Sequence, residues 1–166
     1  MDTLRPRPAT VADAEAINAI YNYYVRTSAA TFQVEEETKE EREEELRSRP
    51  NELPLVVLEA DDEVVGWGAL SPFKSRCAYR DTVEISIYVR HDCHRRGYGR
   101  MIVQDLVERA RAAGSHTILA ASCEESVGSI GLLKSLGFDQ VGRLRQVGAK
   151  FGRRLDVVYL QLMLGS

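Results

Sequence analysis

Residues 83–100 read VEISIYVRHDCHRRGYGR, and the fold turns on how they are parsed. The stretch opens by alternating β-branched residues with others, which predicts a long central strand over 82–89. A short basic loop follows, and Gly97-Tyr98-Gly99 opens a helix whose apolar positions Ile102, Val103, Leu106, Val107 and Ala110 recur at helical spacing until Gly114. Backbone N–H groups at such a strand–turn–helix junction lack partners, and glycine admits a ligand close to them. With the positive end of the helix and the charges of Arg95, Arg96 and Arg100, the turn suits a pyrophosphate. A dinucleotide-binding fingerprint would need glycine at position 102, where Ile102 stands, and a phosphate loop would need a Gly-Lys-Ser/Thr that does not follow.

Working outward, a short strand is expected over 3–8, and Thr10 with Asp13 resembles a capping pair before a helix that aligns Ile17, Ile20, Tyr21, Tyr24 and Val25. Thr38 with Glu41 repeats the cap for a second helix to about Arg49, stopped by Pro50, with the glutamates from Glu40 to Glu45 as a solvated face. Strands are expected over 54–60 and 64–70, joined by Asp61-Asp62-Glu63, then over 116–121, 138–148 and 155–164. A helix carrying Ile130, Leu133 and Leu136 precedes Gly137. The order predicts a mixed α/β fold with most strands in one sheet, in a single domain covering 1–166.

Composition narrows the function. The 166 residues carry 22 Lys+Arg against 25 Asp+Glu, a formal net charge of −3, so no broad cationic face for nucleic acid is expected. No apolar run approaches the roughly 18 residues of a membrane span, so no membrane partner is expected. Cys77, Cys93 and Cys123 lack metal-ligand spacing and read as reduced thiols of a cytoplasmic protein, with no metal site. His91 and His116 read as surface or loop residues, and Trp67 as packing.

With these residues in view, the chain resembles a known family. The run from Val89 to Gly99, with Arg96-Gly97-Tyr98-Gly99, looks like the acetyl-CoA-binding motif of the GNAT acetyltransferases, and Ser129-Ile130 with Leu132 and Leu136-Gly137-Phe138 resembles their second CoA-side motif. Ser71-Pro72-Phe73, Lys74, Arg76, Thr82-Val83-Glu84, and the block Val147-Gly148, Lys150-Phe151-Gly152-Arg153, Leu155-Asp156 resemble the phosphinothricin and methionine sulfoximine N-acetyltransferase group. The resemblance runs from Arg7 onward over nearly the whole chain.

It implies the GNAT fold, with a mostly antiparallel sheet, and acetyl transfer from acetyl-CoA to the primary amine of a small amino-acid-like substrate, in a cytoplasmic homodimer. By position it implies Glu84 as general base, and Phe32, Lys74, Arg76 and Ser86 on the acceptor side. It implies pantetheine pairing along Ile87, Tyr88 and Val89, pyrophosphate wrapping by Arg95, Arg96, Gly97, Tyr98, Gly99 and Arg100, and a CoA contact at Ser126. The chemistry agrees with Glu84, since a protonated amine must lose a proton before it attacks, and burial within a β-branched strand raises a carboxyl pKa.

The chain departs from the group at four positions. His94 stands where Gln or Arg is usual and can still donate a hydrogen bond; Ser126 replaces Asn. Leu133 replaces a His or Tyr near the CoA sulfur and cannot move a proton, leaving that step to another group or water. Arg154 replaces an aromatic, a change bearing on substrate range or dimer packing. Two alternatives remain on these residues: acetylation of a peptide or protein N-terminus, and a non-catalytic acyl-CoA-binding regulatory protein.

Overall fold

In the computed structural model, which describes residues 4–165, the chain runs β1 (Arg7–Pro8), α1 (Ala14–Thr27), α2 (Lys39–Ser48), β2 (Leu55–Ala60), β3 (Glu63–Pro72), β4 (Thr82–Val89), α3 (Tyr98–Ala112), β5 (Thr117–Cys123), α4 (Val127–Ser135), β6 (Asp139–Lys150) and β7 (Arg153–Met163). The strands form one mixed sheet in the order β1-β2-β3-β4-β5-β7-β6, in which only β4 and β5 run parallel. The mixed, mostly antiparallel α/β architecture expected from the sequence is the one observed. The first strand is shorter than expected, because Pro6 and Pro8 bring no N–H to a ladder. Residue 3 of that expected strand lies outside the described residues.

Local chemistry explains the joins. Asp61 and Asp62 both adopt left-handed backbone, φ 52° and 64°, and close the β2–β3 hairpin as a two-residue turn of the kind that matches strand twist. Thr38 Oγ1 accepts from Glu41 N at 3.1 Å while Glu41 accepts from Thr38 N at 3.2 Å, the reciprocal cap expected at α2.

The sheet is covered on both faces. Ile17 and Ile20 of α1 pack on Leu55, Val57, Trp67 and Ala69, while Ile102, Val103 and Leu106 of α3 pack on Val56, Leu58, Val83 and Ile85. Strand parity therefore sorts β4: Val83 and Ile85 enter the α3 core, whereas Glu84, Ser86 and Tyr88 lie on the α1 side, opposite Ser71, Ala69 and Trp67. Among the described residues, no helix is long and apolar enough to cross a membrane.

The acidic helix is more than a solvated face. Arg42 is 5% exposed, donates Nε to Asn18 Oδ1 at 3.1 Å, pairs with Glu37 and Glu45, and lays its guanidinium 4.8 Å from the Trp67 ring centre. Glu37 is pushed up by its own burial, an effect that Arg42 opposes. Removing one partner of a buried ion pair strands the other charge, so Arg42→Ala should cost about 3 kcal/mol in urea unfolding at neutral pH. Glu37 would then have a folded-state pKa further above its unfolded value. Its ionised form is what destabilises, so the deficit against wild type should shrink as pH falls through that pKa.

Candidate active site

The site begins where two strands part. β4 and β5 pair only at Thr82↔Thr117, Val83↔Ile118 and Glu84↔Leu119. Beyond Glu84, β4 stays with β3 as far as Gly66↔Val89, and β5 stays with β7 as far as Cys123↔Val157. A cleft opens between them. Arg90 N donates to Val65 O at 2.8 Å, which sets the alternation of the antiparallel ladder. Tyr88 and Ser86 therefore exchange backbone bonds with Trp67 and Ala69, and Ile87 and Val89 turn their peptide groups toward the cleft.

Of the three residues expected to pair with pantetheine, Ile87 and Val89 have this orientation. Tyr88 does not: its peptide serves β3, and its ring stacks on Trp67 at 5.0 Å between centres and meets Tyr21 edge-on at 5.2 Å. Burial pushes the Tyr88 phenol well above its ordinary range.

Both helix N-termini at the cleft follow the parted strands, α3 after β4 and α4 after β5. Gly97 caps α3 with φ 81°, and Arg95 two residues before it has φ 66°. Such left-handed residues turn successive N–H groups inward, as an anion-binding concavity requires. A side chain at Gly97 would meet no neighbour, so its glycine is called for by backbone conformation and leaves the approach open. Gly99 packs close to Leu132, Tyr98 lies partly buried against the α3 core, and Arg95, Arg96 and Arg100 are exposed, Arg100 donating to Ser135 Oγ at 2.9 Å. Ser126 is the N-cap residue of α4, its N bonded to Cys123 O at 2.9 Å.

Glu84 sits half-buried on the other face, and Ser86 beside it is exposed in the middle of the sheet, so this face is open there. Burial raises the Glu84 pKa, and the Lys74 ammonium opposes that rise. Lys74 and Arg76 are exposed in the segment leading to β4; Lys74 Nζ lies 5.2 Å from the Phe73 ring centre. Phe32, in the turn after α1, packs against Ala29, Cys123 and Leu155.

Sequence reasoning missed Tyr24 as a site residue. Its hydroxyl bonds both Val89 O and His94 Nε2, the latter at 2.8 Å, so α1 is tied to the end of β4 and to the basic loop. Burial pushes the Tyr24 phenol up to about 12. The only sequence signal was its place on the inward face of α1. Leu133 is 2% exposed within the α3-side core, and Cys93 is buried there too. His91 is exposed as expected but stacks on Tyr23 at 4.0 Å. Among the described residues, no three His, Cys, Asp or Glu gather as a metal site.

An acetyltransferase (GNAT) domain model matches residues 7–159. The chain belongs to the GNAT acetyltransferase family. It is 39% identical over 160 residues to the L-methionine sulfoximine/L-methionine sulfone acetyltransferase of Pseudomonas aeruginosa, covering 95% of this chain and 93% of that one. It is 33% identical to the phosphinothricin N-acetyltransferase of Streptomyces coelicolor, covering 93% of each. The crystal structure of a GNAT superfamily phosphinothricin acetyltransferase from Sinorhizobium meliloti in complex with acetyl-CoA superposes with a TM-score of 0.93 at 31% identity, covering 99% of this chain and 90% of that one.

The raised Glu84 pKa is directly measurable. Carboxyl NMR titration should place Glu84 above an exposed glutamate, and Lys74→Met should move it higher still, because the opposing cation is gone.

Proposed function

We propose that this GNAT protein moves the acetyl group of acetyl-CoA to the primary amine of a small amino-acid-like acceptor of the methionine sulfone, methionine sulfoximine or phosphinothricin type, with Glu84 as general base. The carrying observation is one half-buried carboxylate of raised pKa on the open face of the strand whose later residues Ile87 and Val89 turn peptides without a strand partner toward the cleft. The chain acts as a single acetyltransferase domain.

The parted strands and the inward-turned N–H groups at the start of α3 fit acetyl-CoA, an extended amide chain ending in a pyrophosphate. Ile87 and Val89 would hold the pantetheine, the amides from Arg95 to Arg100 the pyrophosphate, and Ser126 the flank at α4. Bound acetyl-CoA supplies the reactive thioester. Glu84, directly or through one water, takes the proton from the ammonium and frees its lone pair. The amine nitrogen adds to the thioester carbonyl to form the C–N bond, cleft-facing backbone N–H donors steady the oxyanion, and its collapse breaks the C–S bond while the nitrogen gives up its second proton to water. Leu133 cannot supply the proton for the departing sulfur, so water does; a thiol leaves without a strong acid. Lys74 and Arg76 attract the acceptor's acid group, and Phe32 and Ser86 line its pocket.

An acceptor panel of methionine sulfone, methionine sulfoximine, phosphinothricin, free amino acids and N-terminal peptides, read by thiol release, tests this reading. Acetyl-CoA binding without release for any amine would support a regulatory protein instead. On the best acceptor, Glu84→Gln should lower kcat near neutral pH by roughly 10²–10⁴, with partial recovery at high pH where free amine is abundant. In wild type, activity should rise as pH climbs through the raised Glu84 pKa; Glu84→Gln should lose that limb.

The protein is also proposed to be a cytoplasmic homodimer. Its three cysteines are free, and edge strand β6 exposes Val141, Leu144 and Val147, an apolar surface that a second copy would cover. Light scattering should give twice the chain mass, and Leu144→Asp with Val147→Lys should shift it toward the monomer.

A further inference from the structure

Lys150 is 5% exposed, an uncommon state for lysine, and among the described residues no carboxylate pairs with it. Its Nζ donates instead to Ser28 O and Thr31 O, both at 2.7 Å. One ammonium thus ties two carbonyls of the turn that follows α1. Burial lowers the Lys150 pKa, yet an ammonium bonded to two carbonyls is held more firmly than a neutral amine would be.

Two residues back along β6, on the same face, Gly148 is buried under Phe32: a Cβ there would overlap the Phe32 ring. The ring fills that gap and rests on Ala29, Cys123 and Leu155. The turn is held from its other side as well. Thr31 Oγ1 lies 3.0 Å from the Tyr21 hydroxyl and accepts from Gln33 N at 3.2 Å, and the Tyr21 ring meets Tyr88 of β4 edge-on at 5.2 Å. Phe32 therefore sits between an anchor on β6 and an anchor on α1, whose Tyr21 packs on Tyr88 of the strand that carries Glu84. A cleft of about 360 Å³, lined by Val25, Val34, Lys150 and Phe151, lies against the clamp, so the turn has room to move if released.

We propose that Lys150 is a positioning residue for amine selection: by clamping the turn over 28–31 it seats Phe32 on Gly148 and fixes that wall of the acceptor pocket. This rests on the reading of Phe32 as a pocket residue.

Lys150→Met keeps the length of the side chain and removes its donors. Its acceptor KM should rise about tenfold, with kcat and the acetyl-CoA KM changed less than about twofold, the split expected when only acceptor binding is lost. Amide hydrogen exchange over 28–34 should quicken; unchanged protection would overturn the clamp whatever amine is used. Phe32→Ala separates the two ideas. If it leaves acceptor KM unchanged, the pocket reading falls and the inference with it. If it raises acceptor KM while Lys150→Met does not, only the inference falls. The Lys150→Met/Phe32→Ala double variant should match Phe32→Ala alone, since the lysine acts through the ring; additive effects would overturn the proposal. Should Lys150→Met not fold, Gly148→Ala tests the same seat: the displaced ring should raise acceptor KM and leave acetyl-CoA KM alone, and an unchanged acceptor KM would overturn it.

Discussion

The parting of β4 from β5 after Glu84 is the constraint from which the site follows. Two parallel strands that stayed together would consume each other's peptide groups and leave nothing for a ligand. Here each is held on its far side instead, β4 by seven consecutive pairs with β3 and β5 by seven with β7, so both remain extended while diverging. The peptides of Ile87 and Val89 are left without a strand partner in the middle of a sheet, and such groups require water, a side chain or a ligand. Because α3 follows β4 and α4 follows β5, the same divergence brings two helix N-termini to the two lips of the cleft.

Strand parity then separates the two halves of the chemistry. Along β4, the odd-numbered residues send side chains into the α3 core and, beyond Glu84, peptides into the cleft, while Glu84, Ser86 and Tyr88 present side chains to the α1 face. A carboxylate on that face stands clear of the space that the cleft leaves for an extended ligand. The half-burial that raises the Glu84 pKa comes from the same arrangement, and the nearby Lys74 keeps the shift in check.

Elements whose period is set by burial were legible in the sequence. The expected bounds of β4 match, α3 ends within a residue, and Ile17, Ile20, Ile102 and Leu106 are inward as their spacing implied. The glycine turn was legible too, because Gly97 answers to a backbone conformation that few other residues accept. The parting of the strands was not, since an unbroken apolar alternation says nothing about which neighbour takes the peptide bonds; the family resemblance alone suggested it. Arg42 lay hidden in a run of glutamates and Lys150 near the tip of an edge strand, both places where charge ordinarily means solvent. Gly148 and Lys150 do share parity, and a glycine facing inward beside a lysine was the one signal that the strand end was covered.

The departure at His94 shows how such a replacement is absorbed. The Tyr24 hydroxyl touches both Val89 O and His94 Nε2, but it has one proton to give. A carbonyl oxygen can only accept, so the proton goes to Val89, and Nε2 of His94 must carry the donor hydrogen of the second bond. Nε2 of the imidazole thus points its hydrogen at Tyr24, with Nδ1 as the remaining polar site. The two rings lie end to end, 9° between planes with centres 6.5 Å apart, so the hydrogen bond runs close to the ring planes. A residue shorter than Gln or Arg is in this way anchored at the mouth of the cleft rather than left to swing. The anchor belongs to α1, the helix that also runs into the turn bearing Phe32, so the basic loop before α3 and that turn are braced by the same helix.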